Sequence, residues 1–195
     1  SGNRFTVVDV SNPINPVVIG SVNDATNLAG VTDLFVSGGY AYVTAQSNNR
    51  LTIVDVNNPF SPSIKGSVTD ATFLNYAWDV FVSGRYAYVT GYIGDGLAVV
   101  DVLNPSSPVV VGSVADGTNL NGVMGVFVSG RYAYVAVNGG NRLTVVDLMG
   151  SDLSSLSVGS VSAGSLQVAD LLDVGNHANV RGGLNVGPGG IYSQG

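Results

Sequence analysis

The chain has 195 residues, of which 45% are hydrophobic and only 10% charged. That is enough apolar material for one sizeable core or a single repeat array, and it excludes disorder by composition. With no cysteine, and a net charge of −6 set against only seven basic residues, disulfide frameworks, thiol chemistry and a phosphate-tracking basic surface are excluded as well.

Every acidic residue is Asp and the only lysine is Lys65. Glu and Lys favour helix surfaces, whereas Val, Thr and Tyr favour strands and Asp, Asn, Gly and Pro favour turns. The chain is therefore read as all-β. A 46-residue unit runs three times, over 5–50, 51–96 and 97–142, and a fourth copy opens at Leu143 and drifts. Such a period, with several short strands per unit, marks stacked β-modules such as propeller blades.

The second unit shows the predicted elements in order. Leu51–Val56 alternates Leu51, Ile53 and Asp55 with Thr52, Val54 and Val56, so both faces are largely apolar, as suits a strand between two packed layers. Asn57-Asn58-Pro59 ends it, and Pro62 prevents a helix from starting. Ser63–Val68 is a shorter, more polar strand fit for an outer edge. A connector follows over 70–74, then a strand at Asp79–Val82, a hairpin at Ser83-Gly84-Arg85, and a return strand at Tyr86–Thr90. Phe35, Phe81 and Phe127 recur at constant offset, as do the pairs Tyr40/Tyr42, Tyr86/Tyr88 and Tyr132/Tyr134. Because residues i and i+2 share a strand face, the tyrosines are expected to form aromatic columns between neighbouring sheets.

In the fourth unit Leu143–Leu148 and Ser157–Val161 keep the pattern. Residues 168–180 still align with 31–43, but Asp173, His177 and Asn179 stand where Val36, Tyr40 and Tyr42 stand in the first copy. Such loss is typical of a cap or an exit from the array. Residues 181–195 are Gly-rich, with Leu184, Val186 and Ile191 spaced for short strands. Ser1–Arg4 matches the end of a unit, so residue 1 is expected to lie inside an array.

The hydrophobic-Val-Asp-Val run (Val54-Asp55-Val56, Val100-Asp101-Val102), the Asn-Pro-x-x-Pro turn (Asn58-Pro59 with Pro62, Asn104-Pro105 with Pro108) and the Gly-x-Tyr-Ala-Tyr-Val strand resemble the LVIVD repeat family of secreted bacterial and archaeal proteins. The resemblance covers residues 1–161, and loosely 162–180. It implies a β-propeller of four-stranded blades, with DVFV innermost, YAYV and LTIV in the middle and SIKGSV outermost. The Gly-rich tail resembles the joints of trimeric phage-fibre and adhesin stalks. The domain reading is thus blades over 1–161, starting mid-repeat, a degenerate copy or cap over 162–180, and a tail or stalk start over 181–195. The array is either closed into four blades by 168–180 or left incomplete, to be completed by further units or another chain.

Candidate chemistry is sparse. Asp9, Asp55, Asp101 and Asp147 end a strand in each unit and are expected to cap the following turn by accepting backbone N–H groups. Asp24, Asp70 and Asp116 sit in the connectors, where one carboxylate and one hydroxyl per loop fall short of calcium's six or more oxygens. Asp33 and Asp79 open the innermost strands and could line a channel mouth. With Trp78, whose indole could stack a sugar ring, they form the one candidate ligand site. His177, the single histidine, has no Gly-x-Ser-x-Gly elbow and no further zinc ligands beside it. Gly182-Gly183 and Gly187 fit no phosphate loop. No catalytic residue, metal or cofactor is expected.

These readings point to a non-enzymatic, extracellular structural or adhesive module on a cell or virion surface, self-associating into an oligomer or filament. The alternative is a lectin-like propeller that binds a glycan or other ligand. Neither nucleic acid nor membrane insertion is expected, since no apolar run approaches the ~20 residues of a spanning helix.

Overall fold

The computed structural model describes residues 2–148. The expectations for Ser157–Val161, the degenerate copy with Asp173, His177 and Asn179, and the Gly-rich tail fall outside them.

The described residues are all-β. Strands β1 (Arg4–Asp9) and β2 (Val17–Asn23) pair as a two-stranded sheet. Strands β3 (Val31–Ser37), β4 (Tyr40–Ala45), β5 (Arg50–Asp55) and β6 (Ser63–Thr69) form a four-stranded antiparallel meander in chain order. So do β7 (Ala77–Ser83), β8 (Tyr86–Gly91), β9 (Gly96–Asp101) and β10 (Val109–Ala115). Strands β11 (Val123–Ser129), β12 (Tyr132–Val137) and β13 (Arg142–Asp147) make the last sheet. This is the strand order the repeat predicts. The first strands of successive sheets, β3, β7 and β11, lie side by side, so the sheets converge on them as propeller blades do.

The core is three interfaces between consecutive sheets. Phe5 of the first pair packs with Leu28, Ala41, Val43 and Val54. Tyr42, Leu51 and Ile53 of the next sheet pack on Val80, Val82, Ala87, Val89, Ala98 and Val100 of the one after. Tyr88 and Leu97 repeat this arrangement against Val126, Val128, Ala133 and Val135. One plug per unit, Leu28, Leu74 or Leu120, is almost wholly buried, each contributing roughly 1.5–3 kcal/mol by burial.

The aromatic columns differ from the sequence expectation. Phenylalanines form the column: Phe35 and Phe81 ring centroids are 5.1 Å apart at 57°, and Phe81 and Phe127 are 5.0 Å apart at 62°. The tyrosines of β4 and β8 do face the next sheet, but they meet the opposite face of that sheet, which carries Val and Ala. Head-to-tail stacking never brings equivalent faces together. The phenylalanines reach one another because their strands are adjacent.

The Gly of the first two GSV segments has a steric cause. A Cβ at Gly20 would lie 2.1 Å from the Pro59 carbonyl oxygen, and one at Gly66 would lie 2.4 Å from that of Pro105. The Asn-Pro turn of one unit therefore rests on the outer strand of the unit before it. Gly66→Ala is predicted to cost roughly 1–3 kcal/mol through this clash, read as a lower urea midpoint. An unchanged midpoint would argue against the close approach.

Candidate functional site

Asp33 and Asp79 occupy a bulge at the start of each inner strand. The ladder jumps from Val31 to Leu34 in β3 and from Ala77 to Val80 in β7, leaving two residues out of register. A buried threonine on the neighbouring strand fills the gap. Thr44 Oγ1 accepts the Asp33 N–H at 3.0 Å, and Thr90 Oγ1 accepts the Asp79 N–H at 3.0 Å. Both threonines are fully buried.

The two carboxylates bridge consecutive sheets. The Val80 N–H donates to Asp33 Oδ2 at 3.2 Å and to Asp79 Oδ1 at 2.9 Å, and the Val126 N–H donates to Asp79 Oδ2 at 2.6 Å. The two carboxylates thus share the Val80 N–H as a donor. Burial first, and the neighbouring Asp33 second, push the Asp79 carboxyl up to about 7. In the third unit Gly125 stands at this position and Ala136 replaces the threonine. The joint presence of Asp and Thr in two units, and their joint loss in the third, is the signal by which sequence alone could have paired them.

Trp78 is not part of that pair. Its indole shares no hydrogen bond with either carboxylate and instead joins a cluster with Tyr76 and Tyr92, whose centroids lie 6.0 and 5.7 Å from it. Tyr76 and Tyr92 are 6.0 Å apart. All three are half-buried. Tyr76 has φ of 60°, a left-handed conformation that is uncommon for a bulky side chain and costs about 1–2 kcal/mol. The equivalent residues, Gly30 and Gly122, share that conformation at φ 65°.

The turn and connector aspartates among the described residues bind the backbone or an arginine. Asp9 Oδ1 accepts the Ser11 N–H at 2.8 Å, Asp55 Oδ1 the Asn57 N–H at 3.1 Å, and Asp101 Oδ1 the Leu103 N–H at 3.0 Å. Arg85 pairs with Asp101, and Arg131 with Asp147. The residue two beyond Asp147 lies outside the described part. In the connectors Asp24, Asp70 and Asp116 each accept two backbone N–H groups at 2.8–2.9 Å. Hydrogen bonds from Ser11 and Asn27 hold the Asp9 and Asp24 carboxyls below the usual range. Among the described residues no three His, Cys, Asp or Glu converge as metal ligands would.

The LVIVD repeat model matches residues 1–24, 30–70, 75–116 and 122–162. Among solved structures, the chain is similar to the Kuenenia stuttgartiensis hydrazine synthase (24% identity, TM-score 0.52, 60% of this chain and 32% of that one). It is also similar to a protein from Lactobacillus plantarum (16%, TM-score 0.59, 75% and 51%). A third likeness is the Swd1 β-propeller domain of Myceliophteria thermophila (15%, TM-score 0.57, 75% and 48%). The chain spans about a third to a half of these structures, and at such identities the likeness is one of fold. No curated protein sequence matches.

The bridging carboxylates make stability depend on pH. A carboxyl whose value rises from 3.8 to about 7 in the fold binds its proton more tightly there than in the unfolded chain. Its contribution is complete below pH 4 and is lost as pH rises through 7. Asp79→Asn keeps an acceptor for the Val126 N–H and cannot ionise. We expect it to melt at a higher temperature than the unsubstituted protein at pH 8, with the gap closing by pH 4. Parallel melting curves across that range would rule out the coupled pair.

Proposed function

The chain belongs to the LVIVD repeat family, and we propose that it is a non-enzymatic structural or adhesive module, placed outside the cell, that assembles with further copies of itself. The observation that carries this reading is the state of the two end faces of the described sheets. Leu34 and Val36 of β3 are 47% and 56% exposed, while their equivalents Val80 and Val82 are 3% and 8% exposed. At the other end Leu143 is 67% exposed and its equivalent Leu97 1%. Phe127, Tyr132, Tyr134 and Val145 are exposed beside it.

The open strand β3 and the β11–β12 face are the inner parts of an interface that the chain already makes between its own sheets, whose outer part at β4 and β5 is filled by β1–β2. A second copy brings β11 and β12 of one molecule onto β3 of another, with Tyr134 taking the place of Tyr88, Leu34 that of Val80, and β13 displacing β1. Such a contact is head-to-tail, so it closes into a ring or runs on as a filament. The turn carboxylates support a non-catalytic role in that Asp9, Asp55 and Asp101 are spent on backbone N–H groups, and Asp101 and Asp147 on arginines.

Light scattering with native mass spectrometry tests the reading. Assembly beyond the monomer is expected, and Leu34→Asp together with Val36→Asp should weaken it by at least about 30-fold, roughly 2 kcal/mol. A monomer at every concentration, or assembly indifferent to the paired substitution, would overturn it. Location is tested by fractionating source cells, where recovery of the protein from the cytosol alone would count against surface display.

A further inference from the structure

We propose that Tyr76, Trp78 and Tyr92 form a saccharide-binding platform, with the C–H face of a pyranose ring laid on the aromatic cluster. The inference is independent of self-assembly, because the cluster lies in the second unit and not on either end face.

The cluster is not a requirement of the fold. The same backbone hydrogen bond joins its two loops in all three units: Tyr92 N–H to the Tyr76 carbonyl at 3.1 Å, Gln46 N–H to that of Gly30 at 3.0 Å, and Asn138 N–H to that of Gly122 at 3.0 Å. The sister units thus build the same connection with Gly, Thr and Gln, or with Gly, Met and Asn, where this unit has Tyr, Trp and Tyr. Three large rings have been added to one copy only, one of them on a backbone conformation that suits glycine.

The surface also has the chemistry of a sugar subsite. No described group bonds the Tyr76 or Tyr92 hydroxyl or the Trp78 indole N–H, although all three residues are half-buried. The rings are apolar, with polarised faces that attract C–H groups, and they carry polar edges that can meet sugar hydroxyls. Asp95 stands alongside. Its Oδ1 accepts the Gly122 N–H at 2.8 Å, and a Cβ at Gly122 would lie 3.4 Å from the Tyr92 ring. Its Oδ2 makes no hydrogen bond among the described residues and can accept from a hydroxyl. Centroid distances of 5.7–6.0 Å mean the rings touch, so no ammonium group fits between them as in an aromatic cage. The ligand lies on the cluster, as the C–H face of a pyranose chair can.

Trp78 is the single tryptophan, so its fluorescence reports on this site alone. Cellohexaose, chitohexaose and maltohexaose are titrated against the full chain, with tetramethylammonium as the control and a glycan array for breadth. A saturable change in Trp78 emission with at least one saccharide is expected. Tyr76→Gly and Tyr92→Asn, the residues of a sister unit, should weaken that binding at least 10-fold while leaving the melting temperature unchanged or raised. The proposal is overturned if no saccharide is bound in solution or on the array, if tetramethylammonium alone gives the response, or if both substituted chains bind as the original does.

Discussion

Apolar side chains on these sheets are dry only where a second sheet covers them. Strands such as LTIVD carry apolar residues on both faces, so a single unit cannot hide its own surface and must borrow its neighbour's. The consequence is visible at single positions. Val80 and Val126 are buried, and Leu34, in the same place one unit earlier, is not. The difference lies in what stands in front of each, since all three are large aliphatic residues.

That dependence has a direction. Each sheet presents tyrosines and leucines forward and valines and alanines backward, so the interface joins unlike faces. A large residue is always met by small ones, which allows close approach without a tyrosine colliding with a tyrosine. The glycines at 20 and 66 belong to the same design, since they admit the Asn-Pro turn of the following unit.

The inner strands need a different device. Their bulges leave backbone N–H groups without ladder partners, and an unpaired buried donor is costly. Asp33, Asp79 and the threonines supply the acceptors. Two carboxyls are thereby held close together and partly out of water, which raises Asp79. Polar residues that look like a ligand site in the sequence thus join one sheet to the next. The surface that resembles a ligand site is assembled beside them from residues that do not repeat.

Reading the residues in order settled the repeat period, the four strands of each unit, their order across the sheet and the turns between them. Those features depend on side-chain alternation and on Pro, Gly and Asn, which act locally. It also brought out Asp33, Trp78 and Asp79, but as one site. Only the tertiary structure showed the carboxylates accepting backbone N–H groups of the next sheet and the indole packed with Tyr76 and Tyr92. Only it showed phenylalanines and not tyrosines touching across units, and brought Tyr92 to Tyr76 across sixteen residues of sequence. Sequence periodicity tells which residues share a face. What that face meets is set by how one sheet lies on the next.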